Sequence, residues 1–214
     1  MVLAVHFASW ITSLGLTSVA SSVVFVHIDP IFVALVSHFF LKDRINKQIL
    51  AGILVSLMGV TIITLGDATT GGSNLTGDLL ALVGGIMLGV YLLGGRYFRG
   101  YLDLTTYVIP VYATAAIVLF LLSLATGAPL TGYPANEYIL FFVIALVPMI
   151  FGHTLYNWAL KYVSAPVVSV SLLGEPVGAS ILALLFLNEV PNTQVILGGG
   201  ITLLGILLSS YSKE

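Results

Sequence analysis

Charge is what this sequence has least of. Only 7% of its 214 residues are charged and 58% are hydrophobic, whereas soluble domains typically carry about 25% charged residues. So few charges cannot cover the surface of a water-soluble bundle of this size, and the hydrophobic excess extends along the whole chain, which leaves no room for a separate soluble domain. The net charge of −2 and the lack of a basic stripe give no reason to expect a nucleic-acid partner.

Cysteine is absent altogether, which excludes disulfides, thiolate metal sites and cysteine nucleophiles. The 4 histidines do not have the convergent spacing of a metal site. The sequence also lacks a phosphate-binding glycine loop, a serine–histidine triad and an HExxH motif. We therefore expect no enzyme activity, no metal and no cofactor.

Long apolar runs are what the sequence has in abundance. A membrane-spanning helix needs about 20 mostly apolar residues. Reading such runs between polar residues, glycine and proline predicts spans at 19–41, 46–66, 77–97, 104–126, 137–160, 165–187 and 193–212. A shorter run, 2–14, is too short to cross alone. The sequence thus predicts an all-α polytopic membrane protein, a bundle of about eight transmembrane helices in a lipid bilayer.

The basic residues are confined to one side of this predicted bundle. If all the runs cross, the connections alternate between two sides, and the loops near 15–18, 67–76, 127–136 and 188–192 contain no Lys or Arg. The other side receives every basic residue: Lys42, Arg44, Lys47, Arg96, Arg99, Lys161 and Lys213. The positive-inside rule then predicts a plasma-membrane protein with both termini in the cytoplasm.

An internal repeat relates the two ends of the chain. Shifting the sequence by 146 residues aligns 14–62 with 160–208 without a gap. The matches include rare residue types: Ser18 with Ser164, Asp29 with Glu175, Pro30 with Pro176, Asp43 with Glu189, Asn46 with Asn192, Gly52 with Gly198, and Gly59 with Gly205. Because this spacing contains an odd number of spans, the two copies must be inverted relative to each other in the membrane, as in many secondary transporters.

The repeat also predicts that the first copy is incomplete. The second copy, 77–212, has two spans ahead of its matching helices, and the first copy, 1–67, has no counterpart for them. We interpret 1–67 as a partial repeat with helices equivalent to 3–5 of a ten-helix parent, and 77–212 as a complete repeat with helices 6–10. About 70 residues of the parent would be missing. We favour truncation over a natural eight-helix variant, because the run 2–14 is too short to cross the bilayer.

Two carboxylates lie deep within predicted spans. Asp29 and Glu175 are each followed by a proline, Pro30 and Pro176, which leaves a carbonyl one turn earlier without its hydrogen bond and breaks or kinks the helix. An ionisable group at this depth costs several kcal/mol and usually faces a cavity or a partner. We predict that both line a substrate pathway. The alternative is a pair of protonated carboxyls that serines satisfy within helix packing.

Further polar and aromatic residues extend this predicted pathway. Ser171 lies one helical turn before the second carboxylate, while His153, Tyr156 and Asn157 cluster on one stretch of the preceding span. Trp10 aligns with Tyr156 under the repeat. Aromatic and amide groups facing a cavity would suit an amphipathic organic solute as partner. Helix packing and interfacial anchoring of the aromatic rings are the competing interpretation.

Several stretches resemble a known family. The segment 18–59 contains the mid-helix Asp29-Pro30, FFLKDR at 39–44 and the glycine-punctuated GILVSLMGV, and it resembles the EamA-type repeat of the drug/metabolite transporter superfamily. The stretch HTLYNWALKYVSAPVVSVSLLGEPVGASILALLFLNEVP, 153–191, is similar to that family's C-terminal repeat. The resemblance implies ten helices, cytoplasmic termini and transport of amino acids, metabolites or drugs. This chain departs from it by lacking the first two helices.

The sequence thus favours a secondary transporter that moves a small organic solute by alternating access. A proton as coupling ion and a second copy of the chain as partner in a homodimer both stay open. The competing hypothesis is a truncated membrane subunit that transports nothing and acts as a scaffold or dimerisation partner. The two differ in one observable, because only the transporter produces a solute flux.

Overall fold

The computed structural model describes residues 1–43, 45–66, 74–188 and 190–211, and of residues 66 and 187 it describes the backbone only. The helices are α1 (Val2–Leu14), α2 (Val19–Val26), α3 (Asp29–Val36), α4 (Lys47–Gly66), α5 (Leu75–Phe98), α6 (Leu104–Thr126), α7 (Ala135–Leu146), α8 (Leu155–Ala159), α9 (Ala165–Leu172), α10 (Glu175–Leu182) and α11 (Thr193–Ser210). Wider π-helical turns follow three of them, at Ser37–Leu41, Val147–Thr154 and Ala183–Leu187.

These helices form the predicted membrane spans. Over the described residues, 7 continuous helical stretches are long and apolar enough to cross a bilayer: Val19–Leu41, Lys47–Leu65, Leu75–Phe98, Leu104–Thr126, Ala135–Ala159, Ala165–Phe186 and Thr193–Ser210. Each predicted span is confirmed, with ends that differ by no more than two residues. Val2–Leu14 is the shorter apolar helix that the sequence predicts ahead of them.

Polar side chains define where several helices begin. Asn192 accepts a hydrogen bond from the Val195 N–H (2.9 Å) at the start of α11. Asp103 accepts from the hydroxyl and the N–H of Thr106 (2.6 and 2.8 Å) and from the Thr105 hydroxyl (2.8 Å) at the start of α6. These bonds, those from Thr106 first, hold the pKa of the Asp103 carboxyl well below its usual range. The cap is therefore charged at physiological pH and complements the helix dipole.

The helix boundaries repeat along the chain with the same offset as the sequence. The first copy breaks between α2 and α3, and α3 begins at Asp29. The second copy breaks between α9 and α10, and α10 begins at Glu175. In both copies a π-helical turn follows, and the next residue has a left-handed backbone, with φ 59° at Lys42 and 56° at Asn188. Both spans are thus discontinuous helices with an acidic residue and a proline at the break.

The two copies meet where α4 packs along α11. Ser56 donates a hydrogen bond to the carbonyl of Thr202, its equivalent in the repeat, at 3.2 Å. Backbones approach closely on either side of this contact, where the facing glycine pairs are Gly52 with Gly205 and Gly59 with Gly198. Because positions along α4 meet positions along α11 in reverse order, the two helices are antiparallel. Equivalent helices that pack antiparallel place the two copies in inverted orientation.

Helix α7 is the least buried of the helices that form the spans. It has no buried residue, and the most apolar part of Ala135–Ala159 has 0% of its residues buried within the protein. The first-copy equivalent of this span's second half is α1, and α1 is covered by α5, on which His6 Nδ1 bonds the Gly84 carbonyl at 2.8 Å. Among the described residues, α7 is therefore the helix that the rest of the protein covers least, and the incomplete first repeat stays a prediction.

Candidate functional site

A cavity of about 350 Å³ lies where α1, α2, α4 and α10 meet. Its wall is mostly apolar, and its polar residues are Trp10, His27, Thr64, Glu175 and Ser180. Pockets that bind small organic molecules typically have volumes of about 300–1,000 Å³ and an apolar lining with a few polar groups. The cavity is thus large enough for one small organic molecule.

The cavity extends toward the side of the bundle without basic residues. Its wall includes Val19 at the start of α2, Thr64 near the end of α4 and Ala183 just after α10. These helix ends adjoin the loops in which the sequence has no Lys or Arg. Its inner end contains His27 and Glu175 beside the two helix breaks. The cavity therefore reaches from the helix ends on that side to the level of the broken helices.

Glu175 is the exposed carboxylate of this cavity. It lies at the first residue of α10, where Pro176 is tolerated because the first turn of a helix needs no N–H from it. It interacts electrostatically with His27 and with Asp29. The ion pair that the described residues form is elsewhere, between Arg96 and Asp43. Within the described part of the chain, Glu175 thus has no cationic partner.

Asp29, the repeat equivalent of Glu175, is in the opposite situation. It is fully buried, with 0% exposure, and its Oδ2 accepts a hydrogen bond of 2.5 Å from Ser169 on α9. Its other carboxyl oxygen, Oδ1, is buried without a hydrogen-bond partner. The two acidic residues therefore occupy equivalent places in the two copies, but one faces the cavity and the other is closed off by the second copy.

His27 is a cavity residue that the sequence analysis did not select. It lies in the break between α2 and α3, its Nδ1 bonds the Val23 carbonyl at 2.8 Å, and it lines the cavity. Its equivalent in the second copy is Leu173. A histidine in one copy where the other has leucine is a departure from the repeat, and that difference could have singled it out.

Asn157 and His153 lie in a packed polar contact away from the cavity wall. Asn157 is buried and donates to the Tyr91 hydroxyl and to the His153 carbonyl (2.7 Å). The main-chain carbonyl of Asn157 accepts a hydrogen bond from Arg99 Nε at 3.0 Å. The His153 ring packs edge-on against Phe7 and Tyr91, with centroids 5.3 and 5.7 Å apart. These contacts join α5 to α8 and leave a role in a substrate pathway as a prediction.

Of the remaining predicted residues, one lines the cavity and two do not. Trp10 lines it and stacks on His6, with ring centroids 5.7 Å apart. Tyr156 interacts electrostatically with both acidic residues, whereas Ser171 donates its hydroxyl to the Val168 carbonyl (2.6 Å). The described residues include five buried polar atoms without a hydrogen-bond partner: Trp10 Nε1, Asp29 Oδ1, His153 Nδ1, Asn157 Oδ1 and Ser164 Oγ. Four of the five belong to residues that the sequence predicts along a substrate pathway, and an unmet hydrogen bond at a buried polar atom requires an explanation.

A polar cluster lies on the basic side of the bundle, and we define it as the polar lock of Arg96, Asp43 and Ser37. Arg96 Nη2 lies 3.3 Å from Asp43 Oδ1, and the Ser37 hydroxyl donates to Asp43 Oδ2 at 2.6 Å. Arg96 Nη1 also donates to the Leu160 carbonyl at 3.1 Å. The lock ties the end of the first copy's broken span to α5 of the second copy. Other charged residues of the predicted loops, Arg44, Glu189 and Lys213, lie outside the described residues.

These features define a class of protein before any relative is considered. Discontinuous membrane helices in two inverted copies, with a cavity and acidic residues at the breaks, are the architecture of solute-transport proteins. The family model of the EamA-like transporter family matches residues 1–65 and 75–211. The chain belongs to this family, and it is a multi-pass membrane protein.

Named relatives are transporters. The chain is 27% identical to an uncharacterized transporter of Archaeoglobus fulgidus over 97% of its own length and 72% of the relative's. It is 26% identical to a probable terminal-alkyne amino-acid exporter of Streptantibioticus cattleyicolor, over 86% and 61% of the two lengths. A crystal structure with 19% sequence identity has the same fold, with a TM-score of 0.83 over 97% of this chain and 72% of that one. The chain thus spans about two thirds of the length of such relatives.

Proposed function

We propose that this chain provides the substrate pathway of a secondary transporter, which moves a small organic solute across the plasma membrane by alternating access, with both termini in the cytoplasm. The observation that carries the proposal is the cavity at the two helix breaks. It extends toward the side without basic residues, and we assign the closure of the basic side to the polar lock. A pathway that is open on one side and closed on the other is one of the two end states that alternating access requires.

The unequal states of the two acidic residues support this proposal. Glu175 faces the cavity, while Asp29 is sealed against Ser169. In an inverted repeat, an exchange of conformation between the copies would expose the second residue and bury the first, and the cavity would then open on the opposite side. The observed asymmetry is what one member of such a pair of states would contain.

The solute class follows from the cavity and from one relative. A mostly apolar wall with a few polar groups suits an amphipathic organic molecule. One relative, of which this chain covers 61%, is named as a probable exporter of a terminal-alkyne amino acid. We propose an amino acid, a related metabolite or a drug-like solute as substrate.

A proton is the proposed coupling ion, with Glu175 as the group that exchanges it. The titratable groups that interact with it electrostatically are His27, Asp29 and Tyr156. In proteoliposomes with isotopically labelled amino acids, Glu175→Gln should lower uptake driven by a proton gradient at least tenfold relative to exchange without a gradient measured in the same variant. Glu137→Gln, which removes a carboxylate on α7 outside the cavity, is the matched control. Equal gradient-driven uptake by Glu175→Gln and the wild type would end the coupling proposal.

The bare face of α7 favours one alternative, a membrane subunit that transports nothing and binds a partner through this face. A folded, monodisperse protein that shows neither uptake nor exchange of any labelled solute would favour the alternative. Measurable exchange would exclude it.

A further inference from the structure

Four of the five polar residues of the cavity, His27, Thr64, Glu175 and Ser180, offer hydrogen-bond acceptors, and the exception is Trp10, whose indole N–H only donates. His27 shows how this arises. Its Nδ1 bonds the Val23 carbonyl at 2.8 Å, and because a carbonyl only accepts, Nδ1 must carry the hydrogen. In the neutral ring the lone pair is then on Nε2, at the edge of the ring that points away from Val23. His27, which lines the cavity, therefore has an acceptor at its free ring nitrogen.

The two hydroxyls of the cavity wall already donate their hydrogens to carbonyls of their own helices. Thr64 donates to the Val60 carbonyl, and Ser180 donates to the Pro176 carbonyl at 2.9 Å. Each hydroxyl has a single hydrogen, so both side chains retain only oxygen lone pairs for a ligand.

Glu175 adds the charge. An ionised carboxylate only accepts hydrogen bonds, and this one lies at the inner end of a cavity within a membrane span, without a cationic partner among the described residues. An uncompensated charge in such a place is costly, and a ligand that supplies the opposite charge relieves the cost. The ring of Trp10 and the apolar wall complete a site in which a cation can lie beside an aromatic face.

We propose that this cavity selects solutes that carry an ammonium group on an apolar body, with Glu175 and His27 as the residues that bind the ammonium. An ammonium has N–H donors for the acceptors of Glu175, His27, Thr64 and Ser180, and its charge matches the carboxylate. An alcohol can satisfy one of these acceptors, and a carboxylic acid adds a second negative charge. The inference deepens the proposed transport function and names the chemical class of its solute.

The test compares three ligands of similar shape at neutral pH: phenethylamine, 2-phenylethanol and 3-phenylpropanoate. The chain has 2 tryptophans, so in a Trp158→Phe background the emission of Trp10 reports on the cavity, and calorimetry gives an independent affinity. The amine should bind at least tenfold more tightly than the alcohol, and the acid should not bind measurably. Equal affinity for amine and alcohol, or tighter binding of the acid, would overturn the proposal.

Two variants assign the effect to the named residues. Glu175→Gln should remove the preference for the amine, while Glu137→Gln should leave it unchanged. His27→Leu, which installs the residue of the equivalent position Leu173, should weaken amine binding several-fold and keeps the test available if Glu175→Gln does not fold. Amine binding that both cavity variants retain in full would contradict the assignment.

The binding test and the transport test fail separately. Amine binding without flux of any solute would contradict the proposed transport function and would leave the ammonium site standing. Flux of neutral or acidic solutes by a protein that shows no preference for the amine would contradict the ammonium site and would leave the proposed transport function standing.

Discussion

Replacing Gly59 with alanine should destabilise the protein strongly, because this glycine lies where α4 and α11 are closest. A Cβ at this position would lie less than 3 Å from the backbone N of Thr202 and the carbonyl oxygen of Gly198. Backbone atoms cannot turn aside as a flexible side chain can, so the two helices would have to separate. Overpacking of this kind typically costs about 1–3 kcal/mol, and the contact joins the two copies of the repeat.

Gly200 provides a matched control on the same helix, since a Cβ there would meet nothing within 4 Å. Gly200→Ala should leave the stability unchanged or raise it by up to about 1 kcal/mol, the difference in helix propensity between the two residues. Thermal unfolding of the detergent-solubilised protein, followed by tryptophan fluorescence, measures both variants. The close approach at α4 and α11 would be wrong if Gly59→Ala melted at the same temperature as Gly200→Ala.

The spans, the duplication and this glycine contact could be predicted from sequence because rare residues carry the information. In a chain that is 58% hydrophobic, matched apolar residues mean little. Matched glycine, proline and acidic residues are hard to obtain by chance, and the structure places Gly52 and Gly59 opposite Gly205 and Gly198. Small residues at a regular spacing allow membrane helices to approach closely, so the pattern has a direct structural meaning.

The sequence near Asp29 and Glu175 does not tell which of the two faces the cavity, because both residues precede a proline in an apolar span. The difference arises from the opposing copy. Asp29 receives a hydrogen bond from Ser169, whereas the residue equivalent to Ser169 in the first copy is Val23, which has no hydroxyl to offer Glu175. The asymmetry is present in the sequence, but it becomes visible only when the packing between copies is known.

The predicted pathway residues show a second limit of helical periodicity. Ser171 shares a helical face with Glu175, but its hydroxyl bonds the Val168 carbonyl of its own helix. A serine inside a helix often satisfies itself in this way, so a shared face does not establish a shared cavity. In membrane helices the face toward lipid and the face toward protein are both apolar. The sequence of such a helix therefore lacks the contrast between a polar and an apolar face that identifies the buried side of a soluble helix.

Reversing the charge of Asp43 should open the basic side of the bundle. Asp43→Arg would replace the ion pair with Arg96 by a repulsion and would also remove the acceptor of the Ser37 hydroxyl. A partly buried pair with such additional hydrogen bonds contributes on the order of 1–3 kcal/mol, so the balance between the two access states should shift by roughly tenfold or more.

The lack of cysteine makes this shift measurable without altering the background. A single Ser180→Cys places a thiol on the cavity wall. In vesicles of defined orientation, a membrane-impermeant maleimide should label it rapidly from the side without basic residues while the lock is closed. With Asp43→Arg added, labelling from that side should slow, and labelling from the basic side should accelerate by up to about tenfold because the minor state gains population.

Exchange of the two charges distinguishes a lock from a general electrostatic effect. The double variant Asp43→Arg/Arg96→Asp restores an ion pair in the reversed sense, so the original labelling pattern should return at least in part, although the Ser37 and Leu160 contacts change. Lys47→Asp reverses an exposed charge on the same side of the bundle and should have no effect. Rescue by the exchanged pair is the outcome that only a direct interaction between residues 43 and 96 predicts. If all three variants labelled alike, the closure of the basic side would have to depend on helix packing rather than on this ion pair.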